Sequence, residues 1–190
     1  MIIKNWKKEI WSIPNLLSLF RLVLIPVYVI IYLNATETAH YCIAAGILAV
    51  SCLTDLIDGK IARHFDMITT VGKILDPVAD KATQLTLIIC LAIKHPVLWH
   101  LMVLFVIKES FQLIAGLINF KKGQMLIGAL LPGKICTTVL FISLIILVLF
   151  PGLNENAIRI ITLIDCVFML VSFVSYVITY IGRKNKFQEL

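Results

Sequence analysis

The stretch SCLTDLIDGKIARHFDMITTVGKILDPVADK, Ser51 to Lys81, holds the residues on which the reading of this chain turns. Two long apolar runs flank it, Ala39–Ile57 and Val71–Ile93. Asp55, Asp58, Asp76 and Asp80, four of the chain's 11 acidic residues, stand at the facing ends of those runs. Asp55 and Asp58 are three residues apart and Asp76 and Asp80 four, so on helices each pair shares one face. If the helices are antiparallel neighbours, the two carboxylate faces converge at one depth.

The rest of the chain sets the medium. Its 190 residues are 60% hydrophobic and 15% charged, with a mean hydropathy of +0.98. Soluble domains run near 45–50% apolar and about 25% charged. These values exclude a disordered chain, a collagen and an ordinary water-soluble domain. Besides the two runs above, apolar segments cover Leu16–Leu33, Val97–Ile118, Gly133–Phe150 and Ala157–Ile181. Each approaches the roughly 20 residues that cross a bilayer as a helix. In lipid a span must satisfy its own backbone, which a helix does. No series of short alternating segments suggests a β-barrel. Asn34, Gly59, Pro96, Gly123, Pro132, Pro151 and Gly152 punctuate the connections. The expectation is an all-α bundle of six transmembrane helices forming a single domain over residues 1–190.

Charge orients the bundle. Of 17 basic residues, Lys4, Lys7 and Lys8 precede the first span, and Lys60 and Arg63 end the second. Lys121 and Lys122 follow the fourth, and Arg183, Lys184 and Lys186 the sixth. The opposite connections hold only Lys94 and Arg159. The positive-inside rule puts both termini in the cytoplasm, as an even number of spans requires. An integral cell (inner or plasma) membrane protein is expected, with the carboxylates on the cytoplasmic side. Met1–Ser12, with three lysines among Ile2, Ile3, Trp6, Ile10 and Trp11, suits an amphipathic segment lying on the surface. A cleavable signal peptide fits less well, because the following run is long and carries Arg21. The net charge of +6 implies membrane surface and phosphate-bearing substrates, not nucleic acid, since the cations cluster at the ends of apolar runs. Cys42, Cys52, Cys90, Cys136 and Cys166 lie in apolar stretches without a Cys-x-x-Cys pair and read as packing residues.

Ionisable groups at membrane depth default to function. Four gathered carboxylates repel unless something positive sits among them. Hard divalent cations take oxygen ligands, and Mg²⁺ commonly joins a few carboxylates to substrate phosphates. Gly59 and Gly72 allow close approach of a backbone or phosphate, and Arg63 can clamp a phosphate through two donors. Pro77 disfavours a regular helical turn beside Asp76. The bland alternative is a solvated rim neutralised by Lys60, Arg63, Lys73 and Lys81, which the paired spacing argues against. A transporter would carry acids near the midplane and in repeated halves. A membrane prenyltransferase would be longer, with its aspartate motifs far apart. A catalytically dead scaffold would not need the motif intact.

The pattern Asp55-x₂-Asp58-Gly59-x₂-Ala62-Arg63-x₈-Gly72-x₃-Asp76-x₃-Asp80 resembles the signature of the CDP-alcohol phosphatidyltransferase family at every fixed position. The run Ile13-Pro14-Asn15-Leu16-Leu17-Ser18-Leu19-Phe20-Arg21 is similar to the Pro-Asn-x₂-Thr-x₂-Arg opening of many members, with Ser18 in place of the commoner threonine. The resemblance implies transfer of a phosphatidyl or similar group from a CDP-linked donor to an alcohol, with release of CMP. It implies two divalent cations, Mg²⁺ or Mn²⁺, held by Asp55, Asp58, Asp76 and Asp80, with Asp80 as the base for the acceptor hydroxyl. It puts Gly59, Ala62, Arg63 and Gly72 at the CDP group, with Asn15 and Arg21 approaching the same cavity. It also implies a homodimer.

Leu75–Lys81 is most similar to the phosphatidylglycerophosphate-forming branch of the family, so CDP-diacylglycerol and sn-glycerol 3-phosphate are the expected substrates. Cardiolipin synthases share much of the string and supply the alternative. An acceptor phosphate needs cations, and Lys81, Lys108, Lys134 and Arg183 are the candidates. Lys108-Glu109 stands where relatives often have arginine followed by an acid. Gly133-Lys134-Ile135-Cys136-Thr137 resembles their Gly-Lys-x-Lys-Thr, with Cys136 replacing the second lysine. Lysine and arginine are not equivalent at a phosphate. Lys108-Glu109 equally suits an internal ion pair, and Lys134 a snorkelling lysine. Asp165 has no evident partner in the sequence.

Overall fold

The computed structural model describes residues 13–64, 72–121 and 130–186, and for some of these, among them 55–64 and 181–186, the backbone alone. The expected surface segment at residues 1–12 lies outside the described residues. Six helices overlie the six apolar segments: α1 Ile13–Leu33, α2 Thr38–His64, α3 Gly72–Lys94, α4 Leu98–Lys121, α5 Leu131–Leu149 and α6 Glu155–Lys186. Among the described residues all regular structure is α-helical.

Among the described residues, four of these helices carry stretches long and apolar enough to cross a bilayer: Asn15–Leu33, Leu98–Gly116, Leu131–Leu149 and Glu155–Tyr180. The first three have 19 residues, or about 28 Å at about 1.5 Å per residue, close to the roughly 30 Å hydrocarbon core. Among the described residues the apolar part of α2 is Thr38–Thr54, and the helix continues through Asp55, Asp58, Lys60 and Arg63. α3 begins with Lys73, Asp76, Asp80 and Lys81.

The distribution of polarity is that of a membrane protein. Large apolar side chains such as Val23 (58% exposed), Ile30 (63%) and Leu163 (64%) cover the outside. Asn15, Ser18, Arg21, Gln84, Lys108, Asp165 and Ser172 are buried. Water would reverse this arrangement, whereas lipid leaves apolar groups outside at no penalty and drives polar groups toward one another.

Two compact units make up the chain, residues 1–90 with 148–151, and residues 91–147 with 152–190. In the first, α1 packs along α2. Tyr32 is buried, stacked on Tyr28 with centroids 5.4 Å apart, and meets the ring of Tyr41 edge-on at 5.7 Å. Such aromatic pairs add to what their burial contributes. The Asn34 side-chain amide donates to the Ile30 carbonyl at 2.8 Å, which also accepts the Asn34 backbone N–H at 3.3 Å, closing the end of α1. Tyr41 Oη donates to the Ala35 carbonyl at 3.2 Å, fixing the turn into α2. The expected disruption at Pro77 does not occur: α3 runs unbroken from Gly72 through it. Its ring stands in the second turn, so a single backbone bond, to the Lys73 carbonyl, is lost.

In the second unit α4 packs against α6. Phe111 meets Phe173 and Tyr180 edge-on at 5.3 and 6.1 Å. Asn154 caps α6, its Oδ1 accepting from the Ala157 amide at 2.7 Å. Asp165 accepts a 2.9 Å bond from Ser143 Oγ and so joins α6 to α5 through a buried polar contact. Arg159 is engaged one turn earlier with Glu155.

Gly133 is required by its neighbour. A β-carbon there would lie 2.7 Å from Tyr176 Oη and 2.9 Å from Cε2 of the same ring. That hydroxyl accepts from the Leu130 amide at 3.1 Å, tying the start of α5 to α6. Gly133→Ala is expected to push the ring away, break that bond and destabilise the protein by about 1–3 kcal/mol. Thermal unfolding in detergent measures this, and an unchanged midpoint refutes the close fit.

Candidate active site

α1 has two chemically different faces. Leu16, Leu19, Phe20, Val23 and Val27 are exposed, while Asn15, Ser18, Arg21, Tyr28 and Tyr32 are buried. The buried set is spaced three, three, seven and four residues apart, the spacing of one helical stripe. The motif Pro-Asn-x₂-Ser-x₂-Arg is therefore the inward polar face of the first helix, and its three-residue spacing is a helical requirement.

That face reaches the carboxylate signature. Ser18 Oγ donates a short hydrogen bond to Asp76 Oδ1 across 58 positions of sequence. Ser18 is fully buried and Asp76 half-buried, so a charge-assisted bond there gains strength from the low surrounding polarity. Ser18 was not among the site residues expected from sequence. The signal for it was the hydroxyl kept at the position where relatives carry threonine.

α3 presents the other side. Gly72, Ala79, Thr83, Gln84, Leu87 and Ile88 are buried along it, and Asp76 and Asp80 are half-buried on the same side. Ala79, on that side between the two carboxylates in sequence, is fully buried. Thr83 Oγ1 turns back to the Ala79 carbonyl at 2.9 Å. On α2 the buried series Ala44, Leu48 and Ser51 has a helical register that continues to Asp55 and Asp58. The side chains of Asp55, Asp58, Gly59, Ala62 and Arg63 lie outside the described residues.

Arg21 ends the polar part of the α1 stripe. Its guanidinium is always protonated and is buried beside Ser51, Thr83 and Thr86, in a crevice that Tyr28 and Leu87 close on the apolar side. A cation at this depth, one to two turns from Asn15 and Ser18, offsets some of the repulsion among carboxylates. The structure thus brings Asn15, Ser18 and Arg21 onto one face and joins that face to Asp76.

The acceptor candidates are less uniform. Lys81 is half-buried and donates to Gln84 Oε1 at 3.4 Å. Lys108 is 2% exposed, with Nζ 2.7 Å from Glu109 Oε1, the internal ion pair that Lys108-Glu109 also suited. An ammonium has three donors, so this pair occupies one of them. Lys134 is exposed near the start of α5, and its carbonyl accepts from the Thr137 and Thr138 hydroxyls at 2.9 and 3.0 Å. Arg183 is in the last turn of α6, its side chain outside the described residues.

The donor set suits a hard cation: every carboxylate of the signature offers oxygen and none is paired with sulfur or imidazole in the motif. Among the described residues no cluster of three or more ligating side chains forms; the side chains of Asp55 and Asp58 lie outside them.

Comparison with known proteins bears on the same residues. The family model for CDP-alcohol phosphatidyltransferases matches residues 11–179. A CDP-diacylglycerol–glycerol-3-phosphate 3-phosphatidyltransferase of Aquifex aeolicus (strain VF5) is 32% identical over 183 residues, covering 94% of this chain and 99% of that protein. A probable phosphatidylglycerophosphate synthase of Mycobacterium tuberculosis is 31% identical over 145 residues, covering 75% and 68%. The cardiolipin synthase (CMP-forming)/mitochondrial hydrolase fusion protein of Schizosaccharomyces pombe is 40% identical over 91 residues, covering 47% and 14%. With an intact carboxylate signature, its opening motif on the buried face of α1 and a family match over nearly its whole length, the chain belongs to the CDP-alcohol phosphatidyltransferase family.

Proposed function

We propose that this protein transfers the phosphatidyl group of CDP-diacylglycerol to sn-glycerol 3-phosphate, giving phosphatidylglycerophosphate and CMP. The observation that carries this reading is the Ser18–Asp76 bond, which closes the polar face of α1 onto the carboxylate signature. The end-to-end match with the Aquifex aeolicus relative supports the choice of acceptor.

In this reading residues 1–190 work as a single domain, since the family match crosses both packing units. All six helices span the membrane, and residues 1–12 lie on its cytoplasmic surface. Both termini and the carboxylates face the cytoplasm, where the basic residues concentrate. The donor's charged CDP group enters there while its acyl chains stay in lipid. The homodimer rests on the family resemblance.

Asp55, Asp58, Asp76 and Asp80 would hold two divalent cations, Mg²⁺ or Mn²⁺. When bound, such ions neutralise the donor pyrophosphate and make its phosphorus more electrophilic. Ser18 holds Asp76 in place, and Arg21 and Asn15 supply positive charge and an amide behind it. Gly59, Ala62 and Gly72 leave room for the CDP group, and Arg63 clamps its phosphate. Asp80 accepts the proton of the acceptor hydroxyl as its oxygen bonds to phosphorus and the bond to CMP breaks. Lys81, Lys108, Lys134 and Arg183 attract the acceptor phosphate.

The test is CMP release by purified protein with CDP-diacylglycerol and Mg²⁺ against a panel of glycerol 3-phosphate, phosphatidylglycerol, serine and inositol phosphate. Release with glycerol 3-phosphate alone is expected. Release with phosphatidylglycerol alone establishes the second reading, cardiolipin synthesis, which the Schizosaccharomyces pombe match favours. Release with none of them, with metal varied, overturns both.

A further inference from the structure

Lys94 and Arg159 are the two basic residues that break the charge asymmetry of the chain. They come from different connections, yet they line one cavity of about 270 Å³. Lys94, His95 and Val97 close it from the α3–α4 connection, and Glu155, Ile158 and Arg159 from the first turns of α6. This cavity is ample for a substituted phosphate. It stands at the opposite end of α3 from Asp76 and Asp80, so the catalytic reading leaves it without a role.

The chemistry of its walls selects an anion. Lys94 and Arg159 supply two positive charges, and the first turn of α6 adds the partial positive charge of a helix start. Burial and the neighbouring Lys94 hold the His95 imidazole below its ordinary value. At neutral pH it is therefore uncharged and offers one N–H. Glu155 contributes the one negative charge. Its contact with Arg159 is 3.4 Å long, with the two side chains 85% and 65% exposed, and such pairs hold weakly. The guanidinium can therefore turn to a stronger acceptor. Two basic side chains and one carboxylate line the cavity, a composition that suits a phosphodiester.

The surroundings choose between a lipid and a free ion. Leu163 lies one turn further along α6 on the same face as Arg159 and is exposed. Trp99, at the start of α4 beside the cavity, is also exposed, the position of an interfacial aromatic. A headgroup in the cavity would leave an acyl chain against the apolar side of α6. We propose that this cavity binds the phosphodiester of an anionic phospholipid on the membrane face opposite the carboxylates. The proposal does not depend on the catalytic reading.

Native mass spectrometry of the whole protein, titrated with phosphatidylglycerol, tests it. Lys94→Gln combined with Arg159→Gln is expected to weaken the tightest lipid site about 30-fold, at the contribution of two cations near an anionic surface. Phosphatidylcholine should bind more weakly than phosphatidylglycerol, and an equal concentration of inorganic phosphate should not displace the lipid. Equal retention by the double variant overturns the proposal, as does equal binding of phosphatidylcholine. Displacement by inorganic phosphate overturns it in favour of a free-ion site. Should the double variant fail to fold, Glu155→Gln decides: removing the competing carboxylate is expected to tighten binding several-fold, and unchanged or weaker binding refutes the site.

Discussion

Replacing Asp80 by asparagine is expected to lower CMP release about a thousandfold or more, while helicity and elution in detergent stay as in the parent. The substitution keeps the size of the side chain but removes its capacity to accept a proton, and general bases contribute about 10²–10⁴-fold. It also removes a negative oxygen from the group proposed to hold the cations, so the loss falls at the upper part of that range. Asp80 is half-buried, and asparagine is nearly isosteric with it. Activity near that of the parent would remove Asp80 as the base. Loss of activity with loss of helicity would instead make it a folding residue. The comparison therefore needs both measurements.

Ser18→Ala is expected to lower turnover about 10- to 100-fold, with Ser18→Thr within a few-fold of the parent. A hydrogen bond to a charged acceptor is worth about 1.5–3 kcal/mol, which converts to that range at about 1.4 kcal/mol per factor of ten. The alanine variant leaves Asp76 Oδ1 without the donor that fixes it, so the half-saturating Mg²⁺ concentration should rise as well. A purely structural role for Ser18 predicts lower stability with unchanged metal dependence. Recovery by threonine, which retains the hydroxyl, separates these outcomes.

Much of the fold was legible because membrane helices announce themselves by length and apolarity. The six helices overlie the six expected segments. α2 and α3 are the informative ones, because each carries carboxylates toward one end. The paired spacing of Asp76 and Asp80 was readable as one helical face, and the motif around Asn15 and Arg21 as an approach to the same cavity. What joined them was not readable. Ser18 and Asp76 are 58 positions apart, and no local pattern identifies a partner at that distance. Asp165 had no evident partner for a similar reason, since Ser143, which bonds it, lies on the preceding helix. Lys108 shows the opposite limit. Its partner is the next residue, a contact that suits an ion pair without saying whether the ammonium also serves a ligand. The turn at Pro77 illustrates position overriding type. Pro77 removes one backbone bond, to the Lys73 carbonyl, and the helix runs on through it.

The polar stripe of α1 has a consequence for how the protein is made. During synthesis the first helix leaves the ribosome with Arg21 on it and with Asp76 still tens of residues away. An arginine at the centre of a lone inserted helix is unfavourable by about 2.5–3.5 kcal/mol on insertion scales. The 19-residue apolar stretch around it compensates, so the helix can enter lipid before its partner exists. Ser18 then waits for α3. A nascent chain arrested before Asp76 therefore holds an inserted but unassembled first helix. Completion of the signature is also the moment at which that helix is locked in place.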